Sequence, residues 1–269
     1  MDQKLIDEIV TKAVERLLER MIAAAAKQHT LVLLSGAGSG YVVGMQALQL
    51  LGKAGHPLTV VMTASARHII GEDKVRQAGV TRIIGDNEWV NTPKLVRAVD
   101  LVLVPTLSMN TAAHLALGLM DSLVTTLVLG ALLAGKPVIA ICDGANPYGN
   151  GGRVFSDTNE PAPLLRARLA EHLTALMDFG IQLVKEEAFL FSLASQLYTA
   201  GRQPPAPKAA PAPAAAPQLQ ASFGPGTYLT AADLSAYPPG STITLAQGAK
   251  LTPLAQEVAV RQQITLVYR

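Results

Sequence analysis

Leu31-Val-Leu-Leu-Ser-Gly-Ala-Gly-Ser-Gly40 is the stretch from which the fold class follows, because a short apolar run ends there in a glycine-rich turn. A helical pattern continues from this turn through Leu51. Similar apolar runs recur between helical stretches, at Leu58–Met62, Thr81–Ile84, Leu101–Val104, Pro137–Ile141 and Ile181–Val184. Strands that are covered on both faces read as continuous apolar runs of this kind. The sequence therefore predicts an α/β fold, a parallel sheet with helices on both faces.

The segments around this sheet divide the chain into four zones. Residues 1–26 repeat apolar positions at a spacing of four, which predicts an amphipathic helix. Residues 30–200 are predicted to form the doubly wound domain, Rossmann-like or flavodoxin-like in type. Residues 201–222 are rich in proline and alanine, a composition that predicts a semi-extended linker. Residues 223–269 resume a patterned sequence and are predicted to form a small C-terminal module.

The composition excludes several classes of protein. The formal net charge is only +2 and Lys and Arg form no cluster, so we expect no nucleic-acid partner. No apolar run reaches the roughly 20 residues that span a bilayer, so we expect no membrane segment. Cys142 is the only cysteine and the N-terminus has no signal-peptide pattern, which together favour the cytoplasm. No metal site is predicted.

The turns that follow the predicted strands are candidates for a binding site, because open α/β sheets bind ligands at the carboxyl ends of their strands. These turns are Ser35–Gly40, Thr63–Ala66, Pro105–Thr111 and Cys142–Pro147. They are rich in glycine, hydroxyl and amide residues, and their backbone N–H groups suit an anion such as phosphate. A dinucleotide fingerprint fits poorly, because its third glycine would fall on Tyr41 and no acidic residue ends the second strand. The turns suit a phosphate or a flavin ribityl chain better.

Two of these stretches, Asp100–Thr111 and Gly118–Leu123, resemble a signature of the homo-oligomeric flavin-containing cysteine decarboxylase superfamily. The signature joins a strand, a Pro-Ala-Ser-Ala-Asn-Thr-like turn, a helix and a Gly-x-x-Asp-Asn-Leu-like element. The chain keeps these positions of it: Ser108, Asn110, Thr111, Gly118, Asp121 and Leu123. The resemblance covers roughly residues 30–185 and includes the turns Gly36–Gly40 and Val61–Ala66.

This resemblance implies that the chain binds FMN near a subunit interface and assembles as a homo-oligomer, a trimer or a multiple of trimers. It also implies a set of cofactor-binding residues: Gly36, Gly38, Ser39, Gly40, Thr63, Ser65, Ser108, Met109, Asn110, Thr111, Asp121 and Asn146. Within this set, Gly36–Gly40 and Ser65 would hold the phosphate and the ribityl chain, and Asp121 would support the turn beside the flavin.

The chain departs from the family at its acid–base residue. The essential histidine of the decarboxylases has its place here at Thr92, and a threonine does not exchange protons near neutral pH. We therefore expect a flavoprotein with a redox or electron-transfer role, and we assign no catalytic residue. The alternatives are a non-catalytic flavin-binding or scaffold protein and a decarboxylase of a cysteine-containing substrate.

A few residues near the predicted site have two interpretations each. His68 and His114 fit either a ligand contact or a structural role. Cys142 fits a flavin contact or a small buried residue, and Asp143 fits an acid–base group or a turn-forming residue before glycine. Tyr148–Gly152 fits a lid or an ordinary loop.

The terminal zones resemble parts of bacterial microcompartment proteins. The first helix is similar to their short encapsulation peptides, and Leu229–Leu234 with Leu251–Arg261 is similar to a tail module of ethanolamine- and propanediol-type microcompartment proteins. The resemblance implies shell or cargo proteins as partners, through this helix or the C-terminal module, and a place in the microcompartment lumen. The alternative for the helix is packing on its own domain or within the oligomer.

Overall fold

The computed structural model describes residues 3–158, 161–200, 221–223, 228–230, 233–234, 237–238, 240–246, 249–262 and 264–268. The chain divides into two units, Met1–Pro204 and Pro205–Arg269. Within the described ranges, no helix is both long and apolar enough to cross a bilayer.

A six-stranded sheet forms the centre of the first unit. Its strands are β1 (Thr30–Leu34), β2 (Leu58–Met62), β3 (Ile83–Gly85), β4 (Leu101–Thr106), β5 (Val138–Ile141) and β6 (Ile181–Val184). Their order is β3-β2-β1-β4-β5-β6, and every neighbouring pair is parallel. This confirms the doubly wound α/β fold, with the Rossmann strand order rather than the flavodoxin one. The order reverses between β1 and β4, which makes that crevice the topological switch point.

Helices cover both faces of this sheet. They are α1 (Gln3–Ala24), α2 (Tyr41–Lys53), α3 (Ala64–Ile69), α4 (Glu72–Gln77), α5 (Thr92–Ala98), α6 (Met109–Ala116), α7 (Leu123–Leu133), α8 (Asn150–Arg153), α9 (Pro163–Asp178) and α10 (Phe189–Ala200). A 3₁₀ turn at Glu186–Ala188 leads into α10.

Alternating side chains of β1 build two separate cores. Val32 and Leu34 pack on one face, in a cluster that includes Leu48 of α2 and residues of α1 and α10. Leu31 and Leu33 pack on the other face, against α5, α6, α7 and α9. Successive strand residues point to opposite faces, so an apolar run is what a doubly covered strand requires. Each buried Leu or Val contributes roughly 1.5–3 kcal/mol relative to exposure.

The first helix packs on its own domain through its carboxyl-terminal half. Leu18 and Ile22 are buried in the core that α1 shares with α2 and α10. Closer to its start, Ile9, Val14 and Leu17 are about half exposed, at 59%, 48% and 56%. One half of the helix is thus part of the fold, and the other half presents apolar side chains to solvent.

The second unit contains short parallel strands and one long helix. The strands are β7 (Ala221–Phe223), β8 (Tyr228–Leu229), β9 (Thr242–Leu245), β10 (Lys250–Leu251) and β11 (Thr265–Tyr268), and α11 spans Pro253–Arg261. They pair as β11-β9-β7 and β10-β8. Its own core includes Ile243, Leu245 and Ala255. A unit of this size holds a small core, which predicts modest stability when it stands alone.

Element boundaries differ from the sequence predictions at several places, and β5 begins at Val138 rather than at Pro137. The predicted third strand, Thr81–Ile84, begins later, because this edge strand pairs with β2 only over Ile83–Gly85. The fourth strand continues to Thr106, which pairs with Leu34 beyond a register shift. Of the predicted linker 201–222, residues 201–220 lie outside the described residues. Its last two residues belong to β7, which spans 221–223.

Candidate functional site

A cavity of about 720 Å³ opens at the carboxyl edge of the sheet, a volume typical of small-molecule sites. It lies where the predicted turns meet, at the switch point between β1 and β4. It is lined by Gly36, Ala37, Gly38, Ser39, Thr63, Ala64, Ser65, Asp86, Ser108, Met109, Asn110, Thr111, His114, Asp121, Ser122, Thr125, Gly144, Asn150, Gly151, Val154 and Phe155.

A buried pair of hydroxyl residues fixes the two central turns to each other. The amide of Ser35 donates to Oγ1 of Thr106 at 2.9 Å, and that hydroxyl donates to the Ser35 carbonyl at 3.1 Å. The Ser35 hydroxyl donates to the Thr106 carbonyl and accepts from the Ser108 amide at 3.1 Å. Because Ser35 and Thr106 are fully buried, these bonds are shielded from water and hold the turns in one arrangement.

Glycines let the turns approach more closely than other residues would. Gly40 has φ of +80°, and a Cβ placed there would lie 1.9 Å from the carbonyl oxygen of Pro105. A Cβ on Gly36 would lie 2.9 Å from Cβ of Ser65, and one on Gly144 would lie 2.6 Å from Cβ of Ala37. Glycine is therefore required where these turns approach each other, because a larger residue would collide with the neighbouring turn. The missing side chains also leave room in the cavity.

Two helices begin at the cavity and point their first-turn amides toward it. Thr63 caps α3 by accepting from the amide of Ala66, and Ser108 caps α6 by accepting from the amide of Thr111. The caps leave the amides of the first helical residues without intrahelical partners. Those amides, together with the helix dipole of α6, favour an anionic group at this wall.

The opposite wall contains the ionisable groups of the cavity. Nδ1 of His114 lies 3.0 Å from Oδ1 and 2.9 Å from Oδ2 of Asp121, and Thr125 donates to the same carboxylate at 3.4 Å. The hydrogen bond from His114 lowers the pKa of Asp121 below its ordinary value, so this carboxylate is anionic at neutral pH. Asp86 accepts from the amides of Leu123 at 2.9 Å and Val124 at 3.4 Å, at the start of α7.

The third wall is a tightly packed loop and the short helix α8. Gly151 and Gly152 are buried, and a Cβ on Gly151 would lie 2.6 Å from the carbonyl of Gly144. The buried side chain of Arg166 donates to the carbonyls of Pro147, Thr158 and Pro161. These contacts favour a fixed wall over a moving lid for Tyr148–Gly152.

The structure brings most of the predicted cofactor residues to one cavity. Those that line it are Gly36, Gly38, Ser39, Thr63, Ser65, Ser108, Met109, Asn110, Thr111 and Asp121. Gly40 and Asn146 are not among its lining residues. The Gly40 amide donates to Glu186 at 3.2 Å, and Oδ1 of Asn146 accepts from the Tyr148 amide at 3.0 Å. These two residues shape turns behind the cavity wall.

The sequence analysis missed several lining residues. They are Asp86, Ser122, Thr125, Val154 and Phe155. Five further lining residues lie within the candidate turns or the candidate lid without having been named individually: Ala37, Ala64, Gly144, Asn150 and Gly151. His114, for which two roles were open, lines the cavity. Asp86 follows the edge strand β3, and the weakness of that strand in the sequence hid its terminus from the strand-end rule. Val154 and Phe155 gave no signal, because their position depends on the packing of α8.

Other candidate residues lie elsewhere. Thr92 opens α5 beside its cap, Asn91, and neither lines the cavity. Cys142 lies outside the lining, and burial raises the pKa of its thiol. The Asp143 carboxylate accepts from the Glu186 amide at 3.0 Å, which fits the turn interpretation. His68 is exposed and also outside the lining. No cluster of three potential metal-ligating His, Cys, Asp or Glu residues occurs in the described part of the chain.

The chain is similar to a known protein family, to a curated protein and to several solved structures. The model of the family described as "Flavoprotein" matches residues 20–158, more than half of the chain. A probable thymidylate synthase from Schizosaccharomyces pombe is 29% identical over 141 residues, which are 48% of this chain. The chain spans only 22% of the length of that relative.

Solved structures are similar at low sequence identity. The FMN-dependent cysteine decarboxylase of thioviridamide biosynthesis is 22% identical, with a TM-score of 0.49 over 65% of this chain and 99% of that one. DmrB from Burkholderia xenovorans, described as a cubic protein cage for redox transfer, is 19% identical, with a TM-score of 0.48 over 65% of this chain and 97% of that one.

Proposed function

The chain belongs to the Flavoprotein family, and on this premise we propose that its cavity binds FMN for a redox or electron-transfer reaction in a bacterial microcompartment pathway. The observation that carries the proposal is the convergence of separate strand-end turns on one cavity at the switch point of the sheet. A phosphate-bearing ligand of an open α/β sheet binds at this place.

The residues of the cavity fit FMN. The wall formed by Gly36–Ser39, Ser65 and the start of α6 offers backbone amides and hydroxyls without a carboxylate, and it suits the phosphate and ribityl chain. Met109 and Asn110 offer an apolar and an amide contact for a ring. When bound, FMN supplies transfer of one or two electrons. The protein residues bind it, orient it and limit the access of water.

A redox role is favoured over cysteine decarboxylation by the position of Thr92. The family histidine has its place at this residue, and Thr92 is outside the cavity lining and lacks an imidazole. The Thr92 hydroxyl does not exchange protons near neutral pH.

Association with a microcompartment is supported by the first helix. Its carboxyl-terminal half is anchored through Leu18 and Ile22, while Ile9, Val14 and Leu17 stay exposed. An exposed apolar helical stripe is the kind of surface that docks into a groove of a shell or cargo protein. Deleting residues 1–17 tests this proposal: co-purification with microcompartments should be lost while the absorbance spectrum and the free energy of unfolding are kept. Unchanged co-purification would refute the role of the helix.

We also propose that the chain assembles as a homo-oligomer, a trimer or a multiple of trimers, and that the rim of the cavity is part of the contact between subunits. Val154 and Phe155 line the cavity and are 78% and 81% exposed in the single chain. Apolar side chains at the mouth of a ligand site are typical of surfaces that another subunit covers. Sedimentation of the full chain at several concentrations would measure the assembly, and a monomer at all of them would contradict it.

The decisive experiment for FMN is binding, measured by visible absorption and by quenching of flavin fluorescence. Asn110→Asp adds a negative charge to the cavity at nearly constant shape, and we expect it to weaken FMN binding by about tenfold or more. Asn91→Asp makes the same change at a helix cap outside the cavity and should bind like the wild type. A wild-type protein that takes up no FMN would refute the proposal.

A further inference from the structure

His114 has one ring nitrogen engaged and one free. Nδ1 is hydrogen-bonded to Asp121, and no partner for Nε2 occurs among the described residues. The side chain is 33% exposed and lines the cavity. A carboxylate on one nitrogen fixes the tautomer and the orientation of an imidazole, and it stabilises the imidazolium when the other nitrogen takes up a proton. The pair therefore has the geometry of an acid–base group.

The charge around the pair restricts what binds beside it. Within the described ranges, the ionisable residues that line the cavity are Asp86, His114 and Asp121, without a Lys or Arg. Asp86 is already compensated by two amides of α7. On α9, which packs on α6, Arg168 pairs with Glu171 at the surface, and neither lines the cavity. This wall therefore disfavours an anionic compound and favours a neutral or cationic one.

We propose that His114 and Asp121 are the acid–base pair of this cavity, exchanging a proton with a small neutral or cationic substrate that bears an S–H, O–H or N–H bond. The proposal rests on the proposed flavin function, since the substrate reacts beside the cofactor. His114 is the proton acceptor and donor. Asp121 is the positioning residue that holds the imidazole.

The proton step balances without a further reactant. The X–H bond of the substrate breaks, its proton forms an N–H bond at Nε2 of His114, and the electron pair stays on the substrate atom. With a neutral dithiol such as dithiothreitol as the probe, the molecule would close its disulfide and give up two protons and two electrons. His114 would take one proton at Nε2, and FMN, the oxidant, would take up both electrons and the second proton. In the reverse direction, the imidazolium returns the proton.

A first test uses chemical modification of the full-length protein without added cofactor. Diethyl pyrocarbonate acylates unprotonated imidazole, and peptide mass spectrometry reports each histidine separately. We expect His114 to react and FMN to slow that reaction about tenfold, because bound cofactor covers the cavity wall. His68, exposed and outside the cavity, is the internal control and should react equally with and without FMN.

The role of Asp121 is tested in the same assay. Asp121→Asn removes the carboxylate that accepts from Nδ1 and thereby makes Nε2 the nucleophilic nitrogen, so the modification of His114 should become about threefold slower. Asp121→Glu keeps a carboxylate acceptor and should restore most of the wild-type rate. Equal rates in the wild type, Asp121→Asn and Asp121→Glu would refute the pairing.

A second test separates the acid–base role from FMN binding. With FMN added to saturation of both proteins, the flavin of His114→Gln should be reduced by dithiothreitol about 100-fold more slowly than that of the wild type. Reduction by borohydride, which needs no proton acceptor, should be unchanged. If FMN binds and both proteins are reduced by dithiothreitol at the same rate, or no faster than free FMN, the pair is refuted and the flavin function stands. If no FMN binds, the flavin function itself has failed.

Discussion

The histidines at the two edges of the central sheet differ in how many of their ring nitrogens are hydrogen-bonded. At the amino edge, Nδ1 of His56 accepts from the Gln28 amide at 3.1 Å and Nε2 donates to the Ile22 carbonyl at 3.2 Å. His29, beside it, contacts the Ala98 carbonyl at 3.0 Å and the Thr59 hydroxyl at 2.9 Å. At the carboxyl edge, His114 has a partner for one nitrogen only. A fully bonded ring joins segments together, whereas a half-bonded ring is available to a ligand.

The backbone amides at the two edges also differ in whether the protein itself supplies their hydrogen-bond partners. Asp100 closes the amino edge by accepting from the His29 amide at 2.9 Å, and its own amide donates to the His29 carbonyl at 2.8 Å. At the carboxyl edge, the helix starts at Thr63 and Ser108 leave first-turn amides without partners among the residues that the structure describes. One edge of the sheet thus completes its hydrogen bonds internally, and the other keeps some for a bound molecule.

The largest loss of stability is expected from replacing a glycine that lets two turns pack closely at the carboxyl edge. Gly40→Ala should lower the free energy of unfolding by about 4 kcal/mol, because its φ of +80° is strained for alanine and the new Cβ collides with the Pro105 carbonyl. Gly38→Ala meets no atom within 4 Å and should cost less than about 1 kcal/mol. Urea denaturation measures both, and equal losses would contradict the assigned geometry.

The next largest loss of stability is expected from replacing a histidine at the amino edge. His56→Leu leaves the Gln28 amide buried without a partner and removes one bond to the Ile22 carbonyl, which also accepts from the Ala25 amide at 3.4 Å, so it should cost roughly 1–3 kcal/mol and leave the affinity for FMN unchanged. His114→Gln should change stability by no more than about 0.5 kcal/mol. If His114→Gln destabilises the protein as much as His56→Leu, its role is structural, and the contrast between the two edges fails.

Helix caps give a smaller effect. Ser108→Ala and Asn91→Ala each remove a side-chain cap, of α6 and α5, and each should cost about 1 kcal/mol in thermal or urea unfolding. Only Ser108 lines the cavity, so only Ser108→Ala should also weaken FMN binding. An equal loss of FMN affinity in both variants would show that general destabilisation, rather than the cavity wall, governs binding.

The smallest effect is a pH dependence of stability. Because the pKa of Asp121 is lowered in the folded protein, its contribution is complete above the pKa of the unfolded carboxyl and is lost as the pH falls through the folded value. Below about pH 4, the stability of the wild type should therefore decline more steeply than that of Asp121→Asn. Acid titrations of the two proteins, followed by circular dichroism, measure this difference. Parallel curves would contradict the hydrogen bond assigned between His114 and Asp121.

Sequence patterns sufficed for most of the fold. Continuous apolar runs identified the strands of the first unit, because a strand covered on both faces has no polar positions to interrupt it. The exceptions are at the edges. β3 begins later than predicted because only Ile83–Gly85 pairs with a neighbour.

The candidate site was predicted less completely than the fold. The residues of the glycine-rich turn and of Ser108–Thr111 are contiguous in sequence, so one rule about strand ends found them. Asp86, Val154 and Phe155 reach the cavity from segments whose placement depends on side-chain packing far from them in sequence. No local pattern encodes such a position.

By itself, the sequence determined the order of the elements, the turns able to hold a phosphate and the absence of an imidazole at Thr92, because these follow from residue type and spacing. The tertiary structure alone decided which polar groups are left free. His56 and His114 are the same residue type, and only the partners that packing brings to their ring nitrogens distinguish a structural contact from an acid–base group.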